Sequence, residues 1–282
     1  MSSADRDLER IPTFEELARL PDDRLDFALG AALVARDVND TLDVRAVLAR
    51  LHALGDPLAG HGIEGRSAED QTEAVIARFR ELGFVGNAND YYDPKNSLLP
   101  DVLERRLGIP ITLALVFCSL AERAGVVARP IAFPGHVLVR VDKDADTIVV
   151  DPFASARVID DEAAGQLLRR AIGRGAELDR SLFEPAPTRS MLVRLLTNLK
   201  SIWATRGEHA RAFLAIDRIL TLTPNSARVL RERAAAAQKL GAEAVTRADL
   251  ARVLELEPEA PDAKQIRARL EKLGETPMRP MN

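Results

Sequence analysis

Apolar residues recur at three- and four-residue spacing through most of the first 86 positions, which predicts a run of helices. PTFEELARL opens the first, with Thr13 and Glu16 placed as a capping box after Pro12. DDRLDFALGAALVARDV and DVRAVLARLHAL continue the pattern, and Ser67 heads a fourth helix, AEDQTEAVIARFRELGF, ending near Gly83. VGNANDYYDPKNS breaks it: Asn, Asp and Pro with two adjacent tyrosines are loop chemistry. LLPDVLERRLG predicts a short helix capped by Ser97 and stopped at Gly108. Pro110 suits the first position of the next helix, ITLALVFCSLAERAG, which is apolar nearly all round until Glu122 and so belongs at the centre of a domain.

Beyond Gly125 the period changes from helix to strand. ARPIAF, HVLVRV and TIVVDPF read as three strands, the first two separated by Pro134-Gly135 and the last two by DKDAD. With the second turn centred on Lys143-Asp144, Val141 pairs Asp146, Val139 pairs Ile148 and Val137 pairs Val150, so these valines and Ile148 share an apolar face. The other face carries His136, Leu138, Arg140, Thr147, Val149 and Asp151. That register sets His136 directly across from Asp151. A helix around 161–173 follows, then a linker rich in Gly, Pro and charge up to about Ser190.

From there the chain repeats. Gly207 and Gly241 lie 34 residues apart, as do Pro224 and Pro258, and Leu196/Leu230, Ala210/Ala244, Ile216/Leu250, Ile219/Val253, Leu220/Leu254 and Leu222/Leu256 match at the same offset. A 34-residue period with a Gly turn inside each unit and a Pro closing it is the tetratricopeptide pattern. Trp203 and Ala212 fill the large and small packing positions of the first unit, Ala237 and Thr246 those of the second, and residues 261–273 predict one more helix to cover the end of the stack. The chain therefore divides at 189/190 into an α+β domain and an all-α repeat array.

Composition narrows the function classes. Of 282 residues, 46% are hydrophobic and 29% charged, as in an ordinary globular protein, and no apolar run reaches the roughly 18–20 residues that span a bilayer. The opening residues lack the basic-then-apolar order of a secretory signal. A single cysteine, Cys118, excludes an internal disulfide and a multi-cysteine zinc site; with four scattered histidines the expectation is a cytoplasmic protein without metal or cofactor. Residues 190–282 carry 16 Lys and Arg against 11 Asp and Glu, while the rest carries 23 against 32. The basic residues are interspersed with acids and almost no aromatics, so neither nucleic acid nor membrane is an expected partner; a protein or peptide on the repeats is.

His136 opposite Asp151 is the candidate chemistry. A carboxylate there holds an imidazole in one tautomer and raises its basicity, as a general base requires; the same pair also serves as plain hydrogen bonding at a sheet end, where Asp151-Pro152 starts a turn. The stretches NDYYDPKNSLLPDVLERRLGIPITLALVF, FPGHVLVRV and VVDPF, in this order and spacing, resemble the bacterial SirB-type proteins. The resemblance runs over about residues 25–273. It implies a helical N-terminal part and central helix packed on a small antiparallel sheet, the transglutaminase-like or cysteine-proteinase-like core, followed by tetratricopeptide repeats. In the wider superfamily a cysteine opens the central helix about fifteen residues before a Gly-x-x-Ala-Arg run, and a histidine and an aspartate follow on neighbouring strands. Gly125–Arg129 supplies that run, His136 and Asp151 match the pair, and Pro110 stands where the cysteine belongs.

The resemblance also places Asn96, Ser97, Glu104, Pro110 and Gly135 in the family's motifs, which implies that they line the same cleft, with Thr112 the one hydroxyl on the first turn of the central helix. Proline has no nucleophile. Cys118 lies eight residues on, roughly 12 Å along the axis and about 80° round the helix, and reads as a packing residue. Three functions follow: a non-catalytic binding or regulatory protein, a hydrolase or acyl-transfer enzyme using His136–Asp151 with water, Thr112 or Ser97, and a thiol enzyme using Cys118.

Overall fold

A computed structural model describes residues 10–275, arranged in two compact units that divide between Leu195 and Leu196. The first unit begins with four helices, α1 (Phe14–Ala18), α2 (Phe27–Val38), α3 (Val44–Ala53) and α4 (Ala68–Glu81), each started by a side chain that accepts a backbone N–H: Thr13, Asp26, Asp43 and Ser67. The capping box of Thr13 and Glu16 is present in both directions. Helix α5 (Leu99–Arg105) is short, and α6 (Pro110–Arg123) is the central helix, with Pro110 at its first position. Leu113, Ala114, Val116, Phe117, Leu120 and Ala121 on α6 are all 0% exposed, because α2, α3, α4 and the sheet pack around it. Phe117 stacks against Phe79, which stacks against Phe84.

A short parallel pair, β1 (Val85–Gly86) with β2 (Leu107–Gly108), lies ahead of the main sheet, whose order is β3 (Val127–Ile131), β4 (Leu138–Lys143), β5 (Asp146–Asp151) and β6 (Arg157–Val158), all antiparallel. Val139 pairs Val150 and Val141 pairs Ile148, so the register is two residues away from the expected one, and the closing pair is Lys143–Asp146 around a two-residue turn. Asp144 enters that turn with φ 53°, a left-handed conformation that Asp tolerates better than most side chains. A two-residue slip leaves every side chain on its original face, so the predicted apolar face holds: Val137, Val139, Val141 and Val150 are buried. The second face is covered too. Leu138 joins Ile131, Phe133 and Ile159 against Ala164 and Leu168 of α7 (Asp161–Ile172).

Two helix boundaries differ from the sequence reading, and β4 begins at Leu138 rather than at His136. Ser97 does not cap α5: a 3₁₀ turn over Pro94–Asn96 ends on Ser97, and the residue before the helix is Leu98. The helix stops at Arg106 in the left-handed conformation, φ 59°, and Gly108 lies in β2 instead. Helix α8 (Thr188–Thr205) crosses the division between the units. Its start is held by the Asp22 carboxylate, which accepts from the N–H groups of Thr188 and Arg189 at 2.9 and 2.8 Å.

The second unit continues with α9 (His209–Leu222), α10 (Ala227–Lys239), α11 (Glu243–Leu256) and α12 (Ala263–Glu275), with α9, α10, α11 and α12 packed in succession. The 34-residue repeat holds at the level of single bonds. Gly207 and Gly241 have φ 76° and 72°; Gly207 N–H bonds Ala204 O as Gly241 N–H bonds Gln238 O, and Glu208 N–H bonds Trp203 O as Ala242 N–H bonds Ala237 O. Trp203, Ala212, Ala237 and Thr246 are buried at the expected packing positions. Arg233 on α10 forks onto Asp249 of α11 at 2.7 and 2.9 Å, locking neighbouring helices.

Candidate functional site

The turn that delivers His136 is built by Phe133, Pro134 and Gly135. His136 N–H bonds Phe133 O at 3.0 Å, with Pro in the second position and Gly135 in the third at φ 67°, the chemistry of a type II turn. A Cβ on Gly135 would also lie 2.8 Å from Ala171 Cβ of α7, so the turn tolerates no side chain there. Asp151, at the end of β5, is 3% exposed. Its Oδ1 accepts from the N–H groups of Phe153 and Ala154, which fixes the carboxylate independently of the histidine.

Those two fixed points bring His136 Nε2 within 2.9 Å of Asp151 Oδ1. The approach is close but poorly directed, and buried Nε2 makes no aligned hydrogen bond. Formal pairing sets Asp151 beyond Val139–Val150, opposite Leu138, so the contact arises because the chain turns at 133–136 and brings the imidazole back over the strand end. His136 stands edge-on to Phe153, with centroids 5.9 Å apart and planes at 85°. Phe153 in turn meets Tyr91 at 6.1 Å, and Tyr91 meets Tyr92, which is 73% exposed. Phe153 lies tight on β1: a Cβ on Gly86 would fall 2.5 Å from its ring and 2.6 Å from its carbonyl oxygen. The result is an aromatic ladder from a half-buried imidazole beside a buried carboxylate out to the surface.

The other expected cleft residues divide into those that build the neighbourhood and those that stand away from it. Asn96 is 0% exposed and fully used: Nδ2 donates to Asp90 O and Tyr91 O, Oδ1 accepts from Asn87, and its carbonyl accepts from Thr112. It holds the Tyr91 loop onto the start of α6. Thr112 Oγ1 accepts from Ile109 N–H at 3.1 Å and lies 2.7 Å from Asn96 O, to which it donates. Its proton is committed and its lone pair faces a helix-start amide, so it is a capping hydroxyl. Ser97 is buried with its hydroxyl unpartnered. Pro110 is buried at the helix start, and Glu104 is exposed on α5.

Cys118 lies elsewhere. It lines a cavity of about 780 Å³ with Leu48, Leu115, Ser119, Glu122 and Val126, and neither His136 nor Asp151 borders that cavity. Burial, with Glu122 nearby, pushes its thiol up to about 12. No group of three His, Cys, Asp or Glu side chains among the described residues could hold a metal ion. No helix among them is long and apolar enough to cross a membrane.

Arg194 is the site residue that the sequence did not reveal. It sits on the first half of α8, partly buried, and its Nη1 donates to Phe133 O at 3.3 Å, the same carbonyl that accepts from His136 N–H. Burial lowers the pKa of its guanidinium, with Tyr91 the neighbouring titratable group that acts against this; burial conversely raises the Tyr91 phenol. Arg194 is 58 residues past His136, and nothing in local spacing joins the two.

The profile of the Transglutaminase-like superfamily matches residues 37–197, and that of the Tetratricopeptide repeat matches residues 199–271. A UPF0162 protein of Xylella fastidiosa (strain 9a5c) is 37% identical over 265 residues, covering 92% of this chain and 94% of that protein. A UPF0162 protein of Pseudomonas aeruginosa is 31% identical over 74% of this chain and 76% of its own length. F-box only protein 21 of Mus musculus is 26% identical over 66% of this chain but only 34% of its own. No solved structure matches.

Proposed function

Since the chain belongs to the transglutaminase-like superfamily, in its bacterial UPF0162 branch with tetratricopeptide repeats behind the core, we propose that it works by binding rather than by making bonds. The domain up to about residue 189 presents a recognition cleft around His136 and Asp151, and the repeats from about residue 190 take a protein or peptide partner. The single observation that carries this reading is Pro110 at the start of α6, where the superfamily resemblance calls for a thiol. A thiolate at a helix start beside an imidazole is what makes such a site a catalyst, and proline offers neither nucleophile nor N–H. The candidate substitutes are poor ones. Thr112 spends its hydroxyl on capping, and Cys118 carries a thiol raised to about 12 in a separate cavity.

The remaining features suit recognition. An exposed Tyr92 backed by Tyr91 and Phe153 is an aromatic anchor of the kind that concentrates binding energy at interfaces. Helical repeats expose extended surfaces for peptides and proteins. We place this work in the cytoplasm, as a regulator acting through protein contacts. A photo-crosslinking residue at Ala204, Ala235 or Gln238, all exposed on the repeat helices, should capture the same protein partner in independent lysates. No reproducible crosslinked protein from any of the three positions would remove the interaction reading. The competing reading, water activated by His136 without a covalent intermediate, draws on the 2.9 Å imidazole–carboxylate approach. A turnover assay on His136→Ala separates it.

A further inference from the structure

Among the described residues several arginines with limited exposure pair with carboxylates: Arg105 with Asp93, Arg140 with Asp142, Arg233 with Asp249. Arg194 does not. It has one hydrogen bond, to the carbonyl of Phe133, and no carboxylate partner among the described residues. A guanidinium carries five N–H donors in a planar fork, and a partly buried one with a single neutral acceptor is held at a desolvation cost that a bound anion would offset. Its placement is also fixed. Asp22 anchors the start of α8, Leu192 lies against Gly30 so closely that a Cβ there would fall 2.6 Å from it, and Ala186 N–H bonds Pro130 O to tie the preceding segment to β3.

That placement sets Arg194 beside the two elements of the cleft. Through Phe133 O it touches the turn bearing His136, and Tyr91 reaches the same imidazole from the other direction, its ring packing on Phe153, which packs on His136. Resting on the reading of this region as a binding cleft, we propose that Arg194 and Tyr91 form a carboxylate-binding subsite next to His136, which takes a carboxylate of a peptide ligand. One guanidinium fork and one phenol hydroxyl match a planar, singly charged oxyanion. A dianionic phosphate calls for more cationic donors than the site offers. The carboxylate comes either from a chain end or from an Asp or Glu side chain; the chemistry at the guanidinium is the same.

The test is histidine-ring NMR of the full-length protein labelled with ¹⁵N-histidine; the chain has four histidines, and His136→Ala assigns the relevant signals. N-acetylalanine presents a main-chain carboxylate and N-acetylglutamic acid α-amide a side-chain one. N-acetylalaninamide is the neutral control and inorganic phosphate the competing anion. The expected result is a saturable shift of the His136 signals with at least one of the two acids and none with the amide, the responding acid identifying the source. Arg194→Gln should weaken that binding roughly tenfold or more, the usual consequence of losing a charged hydrogen-bond partner. If Arg194→Gln does not fold, Arg194→Lys and Tyr91→Phe carry the test, each weakening binding by about threefold or more on the same grounds. The subsite is overturned if neither acid shifts His136, if the amide shifts it equally, if phosphate alone does so, or if the variants bind like wild type. Ligand-free His136 signals that move in Asp151→Asn establish the imidazole–carboxylate pair separately, so the subsite can fail while the cleft reading stands.

Discussion

Thr112→Val isolates the polar join between the Tyr91 loop and the central helix. Valine keeps the shape of threonine and has similar helix propensity, so the substitution opens no cavity and leaves the backbone preference unchanged. What it removes is Oγ1, which accepts from Ile109 N–H at 3.1 Å and donates to Asn96 O at 2.7 Å. Thr112, Asn96 and Ile109 are all 1% exposed or less, so water does not replace the lost partner. Two buried backbone groups left unsatisfied cost about 1–3 kcal/mol each. Burying a methyl in place of a hydroxyl returns part of that, for a net loss of about 2–4 kcal/mol. Thr112→Ser keeps both bonds and loses one methyl, costing about 1 kcal/mol. Urea unfolding followed by circular dichroism, with midpoints compared at constant slope, gives both values. Hydrogen exchange should also show the Ile109 amide losing protection in the valine variant alone. A valine variant as stable as the serine one would refute the assignment of Thr112 as a cap and return its hydroxyl to the list of available nucleophiles.

Cys118 at about 12 is roughly a thousandfold less ionised at pH 8 than a free thiol near 8.5, so native iodoacetamide labelling should lag behind the urea-unfolded protein by about that factor; fast native labelling would restore the thiol-enzyme reading. Gly86→Ala puts a Cβ 2.6 Å from the Phe153 carbonyl oxygen, which cannot move like a side-chain end, so it should cost about 1–3 kcal/mol and shift the His136 ring signals through Phe153. Unchanged His136 signals would show that Phe153 does not seat the imidazole. Burial works against ionisation of Asp142, but hydrogen bonds from Arg140 (2.6 Å), Arg129 (2.8 Å) and Thr147 (3.0 Å) outweigh it and hold the carboxyl below its ordinary range. Because the folded value is depressed, this stabilisation is complete above the unfolded pKa near 4 and is lost as pH falls through the folded value. Asp142→Asn should therefore flatten the acid arm of stability below about pH 4, and an unaltered arm would contradict the network.

Local signals were legible where the chain's own geometry imposes them. Gly207 and Gly241 mark left-handed turns that few other residues enter cheaply, so their spacing announces the repeat. The unbroken apolar run after Pro110 can belong only to a helix covered on all sides. The hairpin was legible by face and not by register, since apolar alternation is unchanged by a two-residue slip and the turn decided between alternatives through Asp144. Ser97 looked like a cap because the 3₁₀ turn over Pro94–Asn96 has no periodic signature of its own. Two-residue strands such as β1 and β2 exist only by virtue of each other and leave no pattern to read. At the site, His136 and Asp151 do meet, but through the turn over 133–136 and not as the cross-strand pair that the expected register made them. Arg194 and Tyr91 could not be inferred: they reach the His136 turn and Phe153 through α8 and through the loop that Asn96 clips, contacts that span long stretches of sequence.

The central claim is a recognition cleft whose acid–base pair persists without a nucleophile. Its most direct test is the turnover of a panel of esters, thioesters and γ-glutamyl amides by wild type, His136→Ala and Asp151→Asn at equal concentration. The account predicts three indistinguishable rates at the level of buffer. A wild-type rate above that level that falls by about a hundredfold or more on losing His136, the usual scale of general-base catalysis, would contradict it.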